Sequence, residues 1–217
     1  MTDLWPWVAL LGLGAFHGLN PAMGWLFSVA LGLQHKSRAW VLWSLLPIAI
    51  GHAISIAVVV ALFAYVRQVV DLDALRWIAA AILIAFGVYR LTGRHKPRFT
   101  GMQVGFADLT VWSFLMATGH GAGLMLLPVL LRLPMRDADA AHIHSESLPV
   151  MVGAIGTLLV VAVHTFAMLA VAGAIAVVVY EWVGLAFLRR GWINLDLLWA
   201  IALFIAGALL LIPVLNV

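Results

Sequence analysis

The chain has 217 residues, of which 65% are hydrophobic and 10% charged, with a formal charge of +3 and no cysteine. Soluble domains hold roughly 45–50% apolar and about 25% charged residues, so this composition marks an integral membrane protein. The lack of cysteine excludes thiol redox chemistry, disulfides and thiolate metal ligation, and in so apolar a chain a small basic excess sets topology and does not point to nucleic acid.

The start, MTDLWPW, carries Asp3 and no Lys or Arg. It lacks the basic leader of a cleavable signal peptide, so the first helix is expected to remain in the mature protein. Hydrophobic runs predict six helices at 6–33, 39–66, 74–92, 107–131, 149–179 and 195–215, each long enough to cross about 30 Å of hydrocarbon at 1.5 Å per residue. The first run contains AFHGLNPAMGW, which puts His17 and Asn20 near mid-membrane. An ionisable group at that depth costs on the order of 2–3 kcal/mol and normally faces a protein interior or a polar cavity. Gly18 and Pro21 loosen the helix beside it and free backbone carbonyls.

Further along, His52, His120 and His164 stand in the second, fourth and fifth predicted helices. In the fourth, Asp108 reads as the N-cap, with Thr110 and Ser113 as polar groups of the helix core. The loop at 137–146, DADAAHIHSE, carries His142 and His144 among acids, and reads as a solvated linker or as a site that captures metal. His35 and His95 lie among Lys and Arg and read as topology or contacts to anionic lipid.

Eight of the twelve Lys and Arg residues fall in the first, third and fifth connectors. Basic residues stay on the cytoplasmic side, so both termini are expected outside, in what would be a bacterial inner membrane. Trp5, Trp7, Trp40, Trp43, Trp77, Trp112, Trp182, Trp192 and Trp199 fall near predicted helix ends and read as interfacial anchors.

The chain also repeats itself. AFHGLNPAMG, GHAISIAVVVALFAYV and DLDALRWIAAAILIAFG recur in order as ATGHGAGLMLLP, VHTFAMLAVAGAIAVVVY and NLDLLWAIALFIAG. His-Gly returns at His17 and His120, and a mid-helix histidine returns at His52 and His164. Three helices per copy is an odd number, so the second copy enters from the opposite side. The expected architecture is one all-α integral membrane domain over 1–217, six transmembrane helices as a 3+3 inverted repeat, with copies at 1–100 and 101–217. Transporters of that plan hold substrate at mid-membrane.

Four histidines at matched depth, with Asn20, form a candidate metal site of His17, Asn20, His52, His120 and His164, suited to nickel, cobalt, zinc or copper. Met116 pairs with His120 and Met168 with His164 at one helical turn, while Met125 lies close behind. Thioethers would favour copper(I). A single membrane histidine serves as readily as an inter-helix hydrogen-bond partner. Nucleotide-binding and hydrolase motifs are absent, so no enzymatic activity is expected.

The stretch LGLGAFHGLNPAMGWLFSVALGL, with GHA in the next helix, resembles the nickel/cobalt efflux (NicO-type) family, which carries His-Gly-Leu-Glu-Pro-Gly-His there. The six-helix plan is similar to the superfamily of LysE-type exporters, TauE-like exporters and the DsbD and CcdA membrane domains. The resemblance implies that His17 and His52 match the family's histidines, while the family's acid, glycine and second histidine are Asn20, Ala22 and Met23 here. The function expected is secondary transport, as export, of a transition-metal ion. The alternatives are a membrane b-type haem protein with paired histidine ligands, or an accessory protein that delivers metal. Expected partners are the bilayer, the ion, and a second copy or a partner metalloprotein.

Overall fold

The computed structural model describes residues 4–92, 105–131, 148–183 and 195–212, and all regular structure among them is helical. The 137–146 loop, His95 and the fifth connector lie outside the described residues. Three helices are long and apolar enough to cross a membrane, Arg38–Val66, Leu72–Leu91 and Ile155–Trp182. A fourth candidate is the pair Phe106–Gly119 and Leu124–Leu130, bent by 51°.

The first predicted helix is broken in two. Helix α1 (Trp5–Leu19) stops at Asn20, whose ψ of 118° is the extended conformation that a following proline favours. Pro21–Met23 then form one 3₁₀ turn, and Gly24, at φ 121°, redirects the chain into α2 (Trp25–His35). A left-handed backbone of that kind is tolerated by glycine, which lacks a Cβ. Helix α3 (Arg38–Trp43) runs almost directly into α4 (Leu45–Val66), and Asp71 caps α5 (Leu72–Leu91) by accepting from the Ala74 N–H at 2.8 Å.

The fourth predicted helix is broken as well. Helix α6 (Phe106–Gly119) ends at His120, Gly121 takes φ 70°, and a 3₁₀ turn at Leu124–Leu126 leads to α7 (Leu127–Leu130). Its N-cap is Gly105 and not Asp108. Asp108 is the third residue of the helix and its Oδ2 accepts the Gly105 N–H at 2.9 Å, because an acid there satisfies a backbone donor that a glycine cap cannot reach. Helix α8 (Leu148–Val178) runs unbroken through Gly153 and Gly156 into a π-helical turn at Val179–Val183, and α9 (Leu195–Leu211) completes the described chain.

Three helix pairs pack most closely: α1 with α8, α4 with α6, and α5 with α9. Small residues permit the approach. A Cβ on Gly14 would lie 2.3 Å from the His164 carbonyl oxygen, on Gly18 2.4 Å from that of Met168, and on Gly51 2.1 Å from that of Thr110. Lipid offers apolar side chains no reason to leave it, so close backbone packing of this type is what holds membrane helices together. The perimeter is as apolar as the core, with Trp43, Leu62, Phe166 and Ile205 all facing outward. Helices that are hydrophobic all round belong in lipid.

Candidate functional site

The break at Asn20 sets the site. With the helix ended, Leu19 loses its backbone donor and its carbonyl accepts instead from the Trp25 indole N–H at 3.2 Å. The Asn20 Oδ1 accepts from the Ala22 N–H at 3.0 Å, and its Nδ2 is buried with no partner. One turn earlier, the His17 Nδ1 lies 2.7 Å from the Leu13 carbonyl. A carbonyl only accepts, so Nδ1 carries the proton, and a neutral ring then presents a bare lone pair at Nε2. That Nε2 is buried and has no partner.

Helices α4 and α8 bring two more imidazoles to it. The ring centroids of His17 and His164 are 4.9 Å apart, those of His17 and His52 5.7 Å, and those of His52 and His164 5.6 Å. His52 and His164 are parallel to within 5°, and His17 meets both edge-on. All three are fully buried. Neither nitrogen of His52 nor of His164 has a hydrogen-bond partner. The Leu10 carbonyl of α1 approaches the His164 ring as a backbone acceptor, outside the geometry of a full hydrogen bond. Five of the six ring nitrogens are therefore orphaned. Each buried unsatisfied polar group costs about 1–3 kcal/mol, which the glycine-mediated helix packing must offset.

His52 is at mid-span, fourteen residues from both Arg38 and Val66. Among the described residues no set of three His, Asp or Glu side chains is grouped so as to hold a metal ion as it stands. Four of the nine acids have described side chains, Asp71, Asp73, Asp108 and Glu181, and all four are exposed. Among the described residues the interior site is thus built of imidazoles and the Asn20 amide, with no acid.

The fourth histidine is held apart. His120 repeats the His17 bond, its Nδ1 lying 2.7 Å from the Met116 carbonyl, but the Trp199 indole stands between it and the other three. Trp199 meets His17 edge-on at 4.7 Å and His120 edge-on at 5.4 Å, stacks on Phe16 at 4.9 Å, and donates its N–H to the His120 carbonyl. Trp199 is only 2% exposed and is no interfacial anchor. Its signal in the sequence is the stripe it shares with Leu203, Ala206 and Leu210, which runs along the buried face of α9. Arg90, also missed, reaches in from α5 and donates to the Gly119 carbonyl at 3.3 Å, capping the broken end of α6. Met168 is fully buried in a separate cluster with Trp25, Val29 and Ile48, and Met125 in the main core. His35 stacks on Trp40 at 4.0 Å.

A cavity of about 440 Å³ opens beside α1 and α9, lined by Trp5, Leu13, Phe16, Met125, Ile205 and other apolar residues, and no histidine reaches it. In comparisons with known proteins the chain matches no family model, no curated protein and no solved structure.

Proposed function

We propose that this chain is a secondary transporter that exports a transition-metal ion, and that the ion rests between His17, His52 and His164. The observation that carries the reading is the mutual contact of three fully buried histidines from α1, α4 and α8 with five ring nitrogens lacking partners. A histidine kept only for helix association would spend its nitrogens on neighbouring helices; both nitrogens of His52 and the Nε2 of His17 do not. Three imidazoles with nitrogens about 2.0 Å from one ion have ring centres roughly 5.4 Å apart, close to the spacings of 4.9 to 5.7 Å seen here. Turning an imidazole about its Cβ–Cγ bond swings the nitrogens and hardly moves the centre, and that torsion is soft. The ring centres are therefore spaced as in a ligand set, and ring rotation would be what turns the nitrogens toward one ion.

The six-span inverted repeat belongs to the same proposal. A two-fold that exchanges the copies maps the α1/α8 pair onto α4/α6 and α5/α9 onto itself, and those are the closely packed pairs. It also exchanges the two helix breaks, each preceded by a histidine bonded to the carbonyl four residues back. Broken helices at mid-membrane are the usual element of alternating-access sites. Both termini outside, with the basic connectors in the cytoplasm of a bacterial inner membrane, completes the topology. The likeness to nickel/cobalt exporters at His17 and His52 supports export.

A haem reading has less support. The three rings pack on one another and His17 also on Trp199, leaving no slot for a flat macrocycle, and the cavity large enough for part of one has no histidine. The test is elemental analysis and an absorption spectrum of the detergent-purified protein, wild type beside His52→Ala, followed by ion flux in proteoliposomes. One metal per chain without a Soret band, and loss of both binding and flux in the variant, is expected. A Soret band, or flux that survives His52→Ala, would refute the reading.

A further inference from the structure

Resting on that reading, we infer that the ion carried is monovalent and soft, copper(I), with silver(I) as its surrogate. The argument is charge. Stripping water from an ion costs free energy that grows with the square of its charge, and a buried ion is tolerated when countercharge lies beside it. Among the described residues the buried polar set is His17, Asn20, Ser28, Ser44, His52, Ser55, Arg90, Ser113, His120, His164 and Thr165, with no carboxylate. A dication among these groups would keep its whole charge. A monocation carries a quarter of that penalty, and three neutral imidazoles in a trigonal set satisfy the low coordination number of a closed-shell d¹⁰ ion.

The donors exclude hard monocations such as sodium, which take oxygen ligands; imidazole accepts copper, zinc, iron and nickel alike, so charge and not donor type selects among the transition ions. The ring spacing that fits three nitrogens about one centre also leaves little room for the water ligands that nickel(II) or cobalt(II) retain in octahedral sites. No electron transfer is needed, since the ion enters and leaves in one oxidation state.

The test is competition on purified protein in nanodiscs under anaerobic reductant, with copper(I) delivered as its bicinchoninate complex and silver(I), zinc(II), nickel(II) and cobalt(II) as competitors. Copper(I) and silver(I) are expected to bind at one per chain, at least about tenfold tighter than any of the dications, with X-ray absorption reporting three nitrogen neighbours. His52→Gln should weaken copper(I) by a similar factor. Asn20→Asp is isosteric, keeps the acceptor for the Ala22 N–H, and adds a negative charge one turn from His17; it should shift the zinc-to-silver preference at least about tenfold toward zinc. Dications binding at the three histidines more tightly than silver(I) would overturn the inference and leave the site standing. An Asn20→Asp preference equal to wild type would also overturn it, because charge would not be what selects the ion. Absence of binding by every ion, with His52→Gln indistinguishable from wild type, would remove the site reading itself.

Discussion

At the residue scale, the four buried histidines are not equivalent, and the difference is testable. His52 contributes two unpartnered nitrogens to the group, while His120 lies behind the Trp199 indole with its Nδ1 committed to the Met116 carbonyl. His52→Ala is expected to weaken ion binding at least about tenfold, and His120→Ala to leave it within about twofold, both read by titration of the purified protein. Acid should act in the same direction as ligand loss. Imidazole binds metal only when neutral, so each proton taken up competes with the ion and affinity falls as pH is lowered and recovers as it is raised. A site of backbone carbonyls would show no such slope between pH 5 and 8. His17, His52 and His164 were legible from sequence because an imidazole deep in an apolar run has few inexpensive destinations. Trp199 was not. Tryptophan near a helix end is ordinarily an anchor, and only the register of α9, which turns that residue inward with Leu203, Ala206 and Leu210, decides otherwise.

At the element scale, the site is held together by glycines whose missing Cβ atoms let helix backbones touch. At Gly51 an added methyl would meet the Thr110 carbonyl oxygen at 2.1 Å and the Phe114 nitrogen at 2.8 Å. Backbone atoms cannot turn aside as a side chain can, so Gly51→Ala must push α4 from α6. A cost of about 1–3 kcal/mol is expected, the range for overpacking a filled interior. It should appear as a lower unfolding temperature in detergent, together with weaker ion binding because His52 is the next residue. Gly12→Ala is the control, since nothing lies within 4 Å of its Cβ position and only solvent or lipid would be displaced; its unfolding temperature should equal or exceed wild type. The all-helical, apolar character of the chain could be read from hydropathy, as could the loosening at Pro21, which has no N–H to continue a helix. The break after Gly119 was harder to see. Its GHGAG run contains no proline, and the bend depends on Gly121 adopting a left-handed backbone and on Arg90 reaching from another helix to the freed Gly119 carbonyl. Neither is a local property of the sequence.

At the scale of the whole molecule, the two ends of the histidine site differ. Toward α3 it is covered by Trp25, Val29, Val41, Ile48, Met168, Ala172, Ala176 and Val179. Beyond that cluster a Cβ on Gly32 would touch the Val41 side chain at 2.2 Å and the Tyr180 ring at 3.1 Å. Outermost, Arg38 at the start of α3 meets Glu181 in the π-helical turn at 3.1 Å, with side chains 61% and 34% exposed. Pairs that exposed contribute about 0–1 kcal/mol. Such a tie is too weak to matter for folding and strong enough to bias a balance between closed and open forms by up to about fivefold. Glu181→Gln is therefore expected to leave the unfolding temperature nearly unchanged and to open that end more often. The absence of native cysteine makes the measurement direct. Ser28, buried on α2 with its hydroxyl unpartnered, adjoins Val29 of the covering cluster, so Ser28→Cys gives a single thiol within the closure. A membrane-impermeant maleimide added from the Arg38 side should label it slowly in the otherwise wild-type protein and up to about fivefold faster with Glu181→Gln. The same reagent added from the opposite side should be unaffected or slower if the proposed alternating access holds, because opening one end then depletes the state open at the other. Equal rates with and without Glu181→Gln from both sides would reduce the Arg38–Glu181 contact to surface decoration and assign the closure to the apolar cluster alone.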